Sequence, residues 1–92
     1  MMTYTEVLTA LSALTGYAYI SAYGSTIRVE VEDFLGFDTE GEEVFSDTLD
    51  EALVERTFEV LSTSCVSQTT QLYTTFQFDG FTVVWGYTSF DI

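Results

Sequence analysis

The chain has no lysine, no histidine and no proline, and it has a single cysteine, Cys65. Without histidine and with one thiol, zinc is poorly served and the usual Ser–His–Asp and Cys–His arrangements are unavailable. One cysteine excludes an internal disulfide and fits a reducing compartment, with Cys65 read as a small buried hydrophobe. The lack of proline removes one device that protects sheet edges. The first residues carry neither the basic flank nor the continuous apolar run of a signal peptide. Nowhere is there the roughly 18-residue apolar stretch that spans a bilayer. A cytoplasmic protein is therefore expected.

What is present divides into a core and a charge. Apolar residues make up 47% of the 92, including eight Phe, six Tyr and one Trp, which is too rich for a disordered acidic tail. A chain of this length is one domain, residues 1–92, that buries somewhat over about 60% of its unfolded surface. The formal charge is −13, and Arg28 and Arg56 are the only basic side chains. Twelve of the fifteen acidic residues fall between Glu30 and Glu59. Such a surface repels nucleic acid and anionic membranes and attracts a basic protein.

Periodicity gives the elements. Thr3 and Glu6 have capping-box spacing, and Val7, Leu8, Leu11 and Leu14 share a face until Gly16, so a helix is expected over 4–15. Tyr17–Tyr23 and Thr26–Phe34 flank Gly24-Ser25, which suits a type II′ hairpin turn. With Tyr23 opposite Thr26, one face carries Ala18, Ile20, Ala22, Ile27, Val29 and Val31. The other sets Tyr17, Tyr19 and Ser21 against Glu32, Glu30 and Arg28. Residues 35–47 hold at most a short edge strand near Glu43–Phe45. Thr48 and Glu51 repeat the capping-box spacing before a second helix over 49–63. Leu72–Phe78 and Phe81–Tyr87, joined by Asp79-Gly80, form a type I′ hairpin. Its inward face is Leu72, Thr74, Phe76, Phe78, Phe81, Val83, Trp85 and Tyr87. The expected fold is α+β, in the order α-β-β-(β)-α-β-β, with two helices on one face of a four- or five-stranded antiparallel sheet.

Two acidic groups stand out. Glu51, Glu55 and Glu59 fall at i, i+4 and i+8, a like-charged helical stripe that costs tenths of a kcal/mol per pair and does nothing for folding. Glu30 and Glu32 project from one side of a strand, about 6.6–6.8 Å apart, with Asp33 next to them. Carboxylates repeated on this scale imitate a row of phosphates. The plain alternative is a solvated face, but such faces intersperse lysine, and this chain has none. Tyr17, Tyr19 and Tyr23 share the hairpin face with the glutamates. They supply contact area at low entropic cost, or else pack under a loop or across a homodimer. Asp38, Glu40, Glu42 and Glu43 surround Gly41, but the order departs from an EF-hand loop, and neither a metal nor a cofactor is expected. No carboxylate sits in an apolar context that would raise its pKa, and there is no glycine-rich phosphate cradle, so a binding function is read and not an enzyme.

In size, charge and the Glu30–Glu59 patch, the chain resembles the small acidic inhibitors that phages direct against host nucleases, including anti-CRISPR and anti-restriction proteins. The resemblance is compositional and carries no motif. It implies a protein that acts in the host cytoplasm as a DNA mimic. Its partner would be a basic nuclease or CRISPR effector, whose nucleic-acid channel the acidic patch fills. The spacing and register above, not the resemblance, pick out Glu30, Glu32, Asp33, Glu51, Glu55, Glu59, Tyr17, Tyr19 and Tyr23 as the contact residues. Two other readings stand beside it. One is an antitoxin- or immunity-like inhibitor of a cationic partner without mimicry. The other is a halophile-adapted domain, against which the uneven distribution of the acids argues.

Overall fold

The computed structural model describes residues 2–31, 34–41, 43–45 and 50–87. It is an α+β fold of two α-helices and a five-stranded mixed sheet, with a separate two-stranded ribbon. The elements are α1 (Tyr4–Leu11), β1 (Ala18–Tyr23), β2 (Thr26–Val31), β3 (Phe34–Phe37), β4 (Glu43–Phe45), α2 (Glu51–Thr63), β5 (Val66–Thr69), β6 (Tyr73–Phe78) and β7 (Phe81–Tyr87). The main sheet runs in the order β1-β2-β7-β6-β5.

Helix α1 starts on the expected capping box. The Glu6 N–H donates to the Thr3 hydroxyl at 3.2 Å, and the Thr3 N–H donates to Glu6 Oε1 at 3.0 Å. The α-helical hydrogen bonding stops at Leu11, short of the expected residue 15, and the chain tightens into a 3-10 turn over Ser12–Leu14. Hydroxyls compete for carbonyls in this stretch: Thr9 donates to Thr5 O and Thr15 to Ser12 O. Gly16, at φ +93°, then turns the chain into β1. Val7, Leu11 and Leu14 are fully buried, whereas Leu8, expected on the same face, is exposed.

Both hairpins keep the register read from the sequence. Tyr23 pairs with Thr26, Tyr19 with Glu30 and Ala18 with Val31; Phe78 pairs with Phe81 and Thr74 with Trp85. Gly24 (φ +56°) and Gly80 (φ +82°) supply the positive φ that tight hairpin turns need.

Between the hairpins the structure departs from expectation. β2 is described over Thr26–Val31, and Phe34, expected at its end, belongs to β3 and pairs with Phe45 of β4. The expected strand at Glu43–Phe45 exists, but it pairs with β3 instead of edging the main sheet. A turn closes this ribbon: Asp38 O accepts from the Gly41 N–H, Asp38 Oδ1 accepts from the Glu40 N–H, and Gly41 has φ +81°. The α2 cap is Asp50, whose Oδ1 accepts from the Leu53 N–H at 3.1 Å, and the helix begins at Glu51, not at 49. Thr48, the expected cap, lies outside the described residues. β5 is a strand the sequence does not announce, because Val-Ser-Gln-Thr is polar and every one of its side chains is exposed.

The sheet is mixed, not antiparallel. β2 and β7 pair in parallel from Thr26 with Thr82 to Val31 with Tyr87, and the Thr82 N–H donates to Ser25 O at 2.9 Å just beyond. Each is the second strand of its hairpin, so the parallel pairing sets the two hairpin turns at the same end of the sheet. The long connection through β3, β4 and α2 provides the crossover that a parallel pair requires.

Alternation along the strands defines the core. Ile27, Val29 and Val31 of β2, Phe81, Val83 and Trp85 of β7, and Phe76 and Phe78 of β6 are buried in one cluster with Val7, Leu11, Leu14, Val54 and Leu61. Tyr4 meets Phe81 edge-on at 5.3 Å, and Phe58 meets Phe76 at 5.1 Å and Trp85 at 5.5 Å.

Two outcomes follow. Asp50→Ala removes the only cap acceptor of α2 among the described residues and should cost about 1 kcal/mol, lowering Tm by about 4–8 °C in a thermal melt. Hydrogen bonds from the Thr3 backbone N–H and hydroxyl hold the Glu6 carboxyl below its ordinary range. Since the folded value is the lower one, this contribution is present above the unfolded pKa of about 4.3 and is lost as pH falls through the lowered value. Glu6→Gln should therefore flatten the acid limb of stability against pH while leaving the slope near neutrality unchanged, as denaturant titrations across pH would show.

Candidate binding surfaces

The acidic and aromatic residues singled out in the sequence form two groups, and the sheet stands between them. On β1, Tyr23 is 84% and Tyr19 58% exposed, while Tyr17, just before the strand, is half-buried. Tyr19 faces Glu30 across the hairpin. Glu30 does not stand alone, because Arg28 Nε donates to its Oε1 at 2.9 Å. Both side chains are half-buried, so about one unit of negative charge on this face is offset locally. Glu32 and Asp33 lie outside the described residues.

The second group is on α2. Val54, Thr57 and Leu61 turn inward, while Glu51, Glu55 and Glu59 are all exposed. Eight residues of helix separate the first from the last, so the three carboxylates follow one flank over about 12 Å. Arg56 is also exposed, but its position is about 100° further round the helix from Glu55. The stripe borders the side that carries Phe58, whose ring lies against Phe76 and Trp85.

Strand alternation decides whether the groups join. Trp85 pairs with Val29, and both point to the face that Phe58 contacts; Glu30, the next residue, points to the opposite one. The structure therefore gathers Glu51, Glu55 and Glu59 into one surface and Tyr19, Arg28 and Glu30 into another, and it does not merge the two.

A third feature escaped the sequence reading. A groove of about 360 Å³ lies between α2, the turn before β6 and the end of β7, walled by Val54, Glu55, Phe58, Leu72, Trp85 and Tyr87 among others. Leu72 and Tyr87 were read as core, but they are 60% and 58% exposed. Leu72 falls just before β6 begins, and Tyr87 is the last residue of β7, so the inward face runs past the cover that α2 gives it. The sign in the sequence is that both residues abut segments with no strand pattern of their own. Cys65 is half-buried against the core, its Sγ–H donates to Leu61 O at 3.2 Å, and burial pushes its thiol pKa up, which favours the thiol over the thiolate.

No helix among the described residues is long and apolar enough to cross a membrane. No family model matches the chain, and neither a curated protein nor a solved structure matches it.

Proposed function

We propose that this protein is an inhibitor that binds a basic nucleic-acid-binding surface of a host defence nuclease, in the manner of an anti-CRISPR DNA mimic, and blocks nucleic acid from entering. The observation that carries this reading is the exposed stripe Glu51, Glu55 and Glu59 on α2 in a chain with no lysine. In this reading both helices lie on one face of the sheet, and α2 turns its acidic flank outward. Carboxylates about 6 Å apart along an axis present charge on the scale of a nucleic-acid backbone. Their mutual repulsion is relieved when arginines from the partner come between them, so the cost borne in the free protein becomes affinity in the complex.

A second reading is an immunity- or antitoxin-like inhibitor that binds a cationic protein without mimicking nucleic acid. It is favoured by the exposed Tyr19 and Tyr23 beside an Arg28–Glu30 pair that already offsets its own charge. Such a face suits aromatic contact more than phosphate imitation.

Displacement of a fluorescently labelled duplex from a panel of RNA-guided and restriction nucleases tests both readings. The wild type should release the duplex from its target, and the release should weaken steeply between 50 and 200 mM salt. Replacing Glu51, Glu55 and Glu59 together by Gln should weaken inhibition about tenfold, at about 0.5 kcal/mol for each exposed pair lost. Inhibition that survives this change, or that ignores salt, contradicts mimicry by α2. The second reading predicts a target that is inhibited while still holding its nucleic acid, with Tyr23→Ala weakening binding by about 1–2 kcal/mol.

A further inference from the structure

We propose that the groove beside Glu55 is the seat for an arginine side chain of the basic partner, resting on the reading that the α2 stripe faces such a partner. At about 360 Å³ the groove is at the small end of ligand sites, a size for one inserted side chain. Aromatic residues come to it from three elements: Phe58 from α2, Tyr73 from β6, and Trp85 and Tyr87 from β7. Among the described lining residues, Glu55 alone is charged at neutral pH.

This combination selects an occupant. An inserted aliphatic side chain would press on the Glu55 carboxylate and strip its water without offering a donor in return. A guanidinium answers both walls: its planar face stacks on aromatic rings, and its N–H fork donates to a carboxylate. The apolar stem of arginine then lies along Val54 and Leu72, the aliphatic part of the wall. A lysine ammonium is more strongly hydrated and lacks the stacking face, so it fits less well. A second copy of the chain is disfavoured, because it would bring its own charge of −13 against the same stripe. Glu51 and Glu59, one helical turn to either side of Glu55, add long-range attraction for a cation approaching the groove without lining it.

Trp85 is the only tryptophan, it is buried, and it lines the groove, so its fluorescence reports on occupancy at this one place. The full chain would be titrated with the peptide acetyl-Gly-Arg-Gly-amide and with matched peptides centred on lysine, citrulline and leucine. A saturable change in Trp85 emission with the arginine peptide is expected, at a Kd on the order of 1 mM. The citrulline peptide, of similar shape without the charge, should bind at least about tenfold more weakly. Glu55→Gln and Tyr87→Ala should each weaken the arginine peptide severalfold, with near-UV circular dichroism confirming the fold, and Glu40→Gln, outside the groove lining, should change it less than twofold. Citrulline or leucine peptides that bind as tightly as arginine would overturn the proposal. So would an emission change that appears without peptide as protein concentration rises, which would assign the groove to a second copy. Duplex displacement separates this claim from the inhibitory one. If Tyr87→Ala displaces duplex as well as wild type does, the groove has no part in partner binding. If the arginine peptide binds but no nuclease loses its duplex, the inhibitory reading fails and the arginine seat remains.

Discussion

The parallel pairing of β2 with β7 is the constraint on which the rest of the molecule depends. It joins two hairpins that are each too small to be stable alone, since an isolated two-stranded hairpin is marginal in water. Once joined, their inward residues become one surface: Ile27, Val29 and Val31 stand beside Val83, Trp85 and the paired Phe76. Residues of α1 and α2 belong to the same core cluster. Tyr4 then reaches Phe81 from one helix, and Phe58 reaches Trp85 and Phe76 from the other.

The same pairing fixes the electrostatics. Alternation leaves no choice about Glu30 once Val29 and Val31 are inside, so the hairpin acid points away from the side that holds α2. Acidic residues that cluster within one stretch of sequence are thereby divided over two sides of a thin sheet. One side carries a carboxylate bonded to arginine among tyrosines. The other carries three glutamates in a row beside an apolar groove. Clustering in sequence and clustering in space are different properties here, and the sheet is what separates them.

Local signals were readable because local chemistry decides them. Gly24 and Asp79-Gly80 set turns whose register puts Ile27, Val29, Val31, Phe76, Val83 and Trp85 on a single face, and the Thr3–Glu6 box needs nothing beyond its own turn. Pairing between the hairpins was hidden, because the inward faces are equally apolar whether the strands meet parallel or antiparallel. β5 was hidden for the opposite reason: Val66–Thr69 has no inward pattern and takes its strand form from the free edge of β6. For the candidate site, the acidic stripe on α2 followed from helical spacing alone. The groove did not, since it depends on α2 ending its cover before Leu72 and Tyr87, a matter of docking that no local spacing encodes.

Both borders of the main sheet, β1 and β5, are free of charged residues, and no proline guards them. In most proteins such borders invite copies of the chain to stack strand upon strand. Here the safeguard is global and not local: a charge of −13 keeps the copies apart at a distance, whatever their borders would do on contact. That safeguard is lost as the charge is neutralised. Acidification, high salt, or a cationic polymer that neutralises the surface without shielding the borders removes it, so the conditions that weaken the proposed inhibition also bring the molecule nearest to self-assembly.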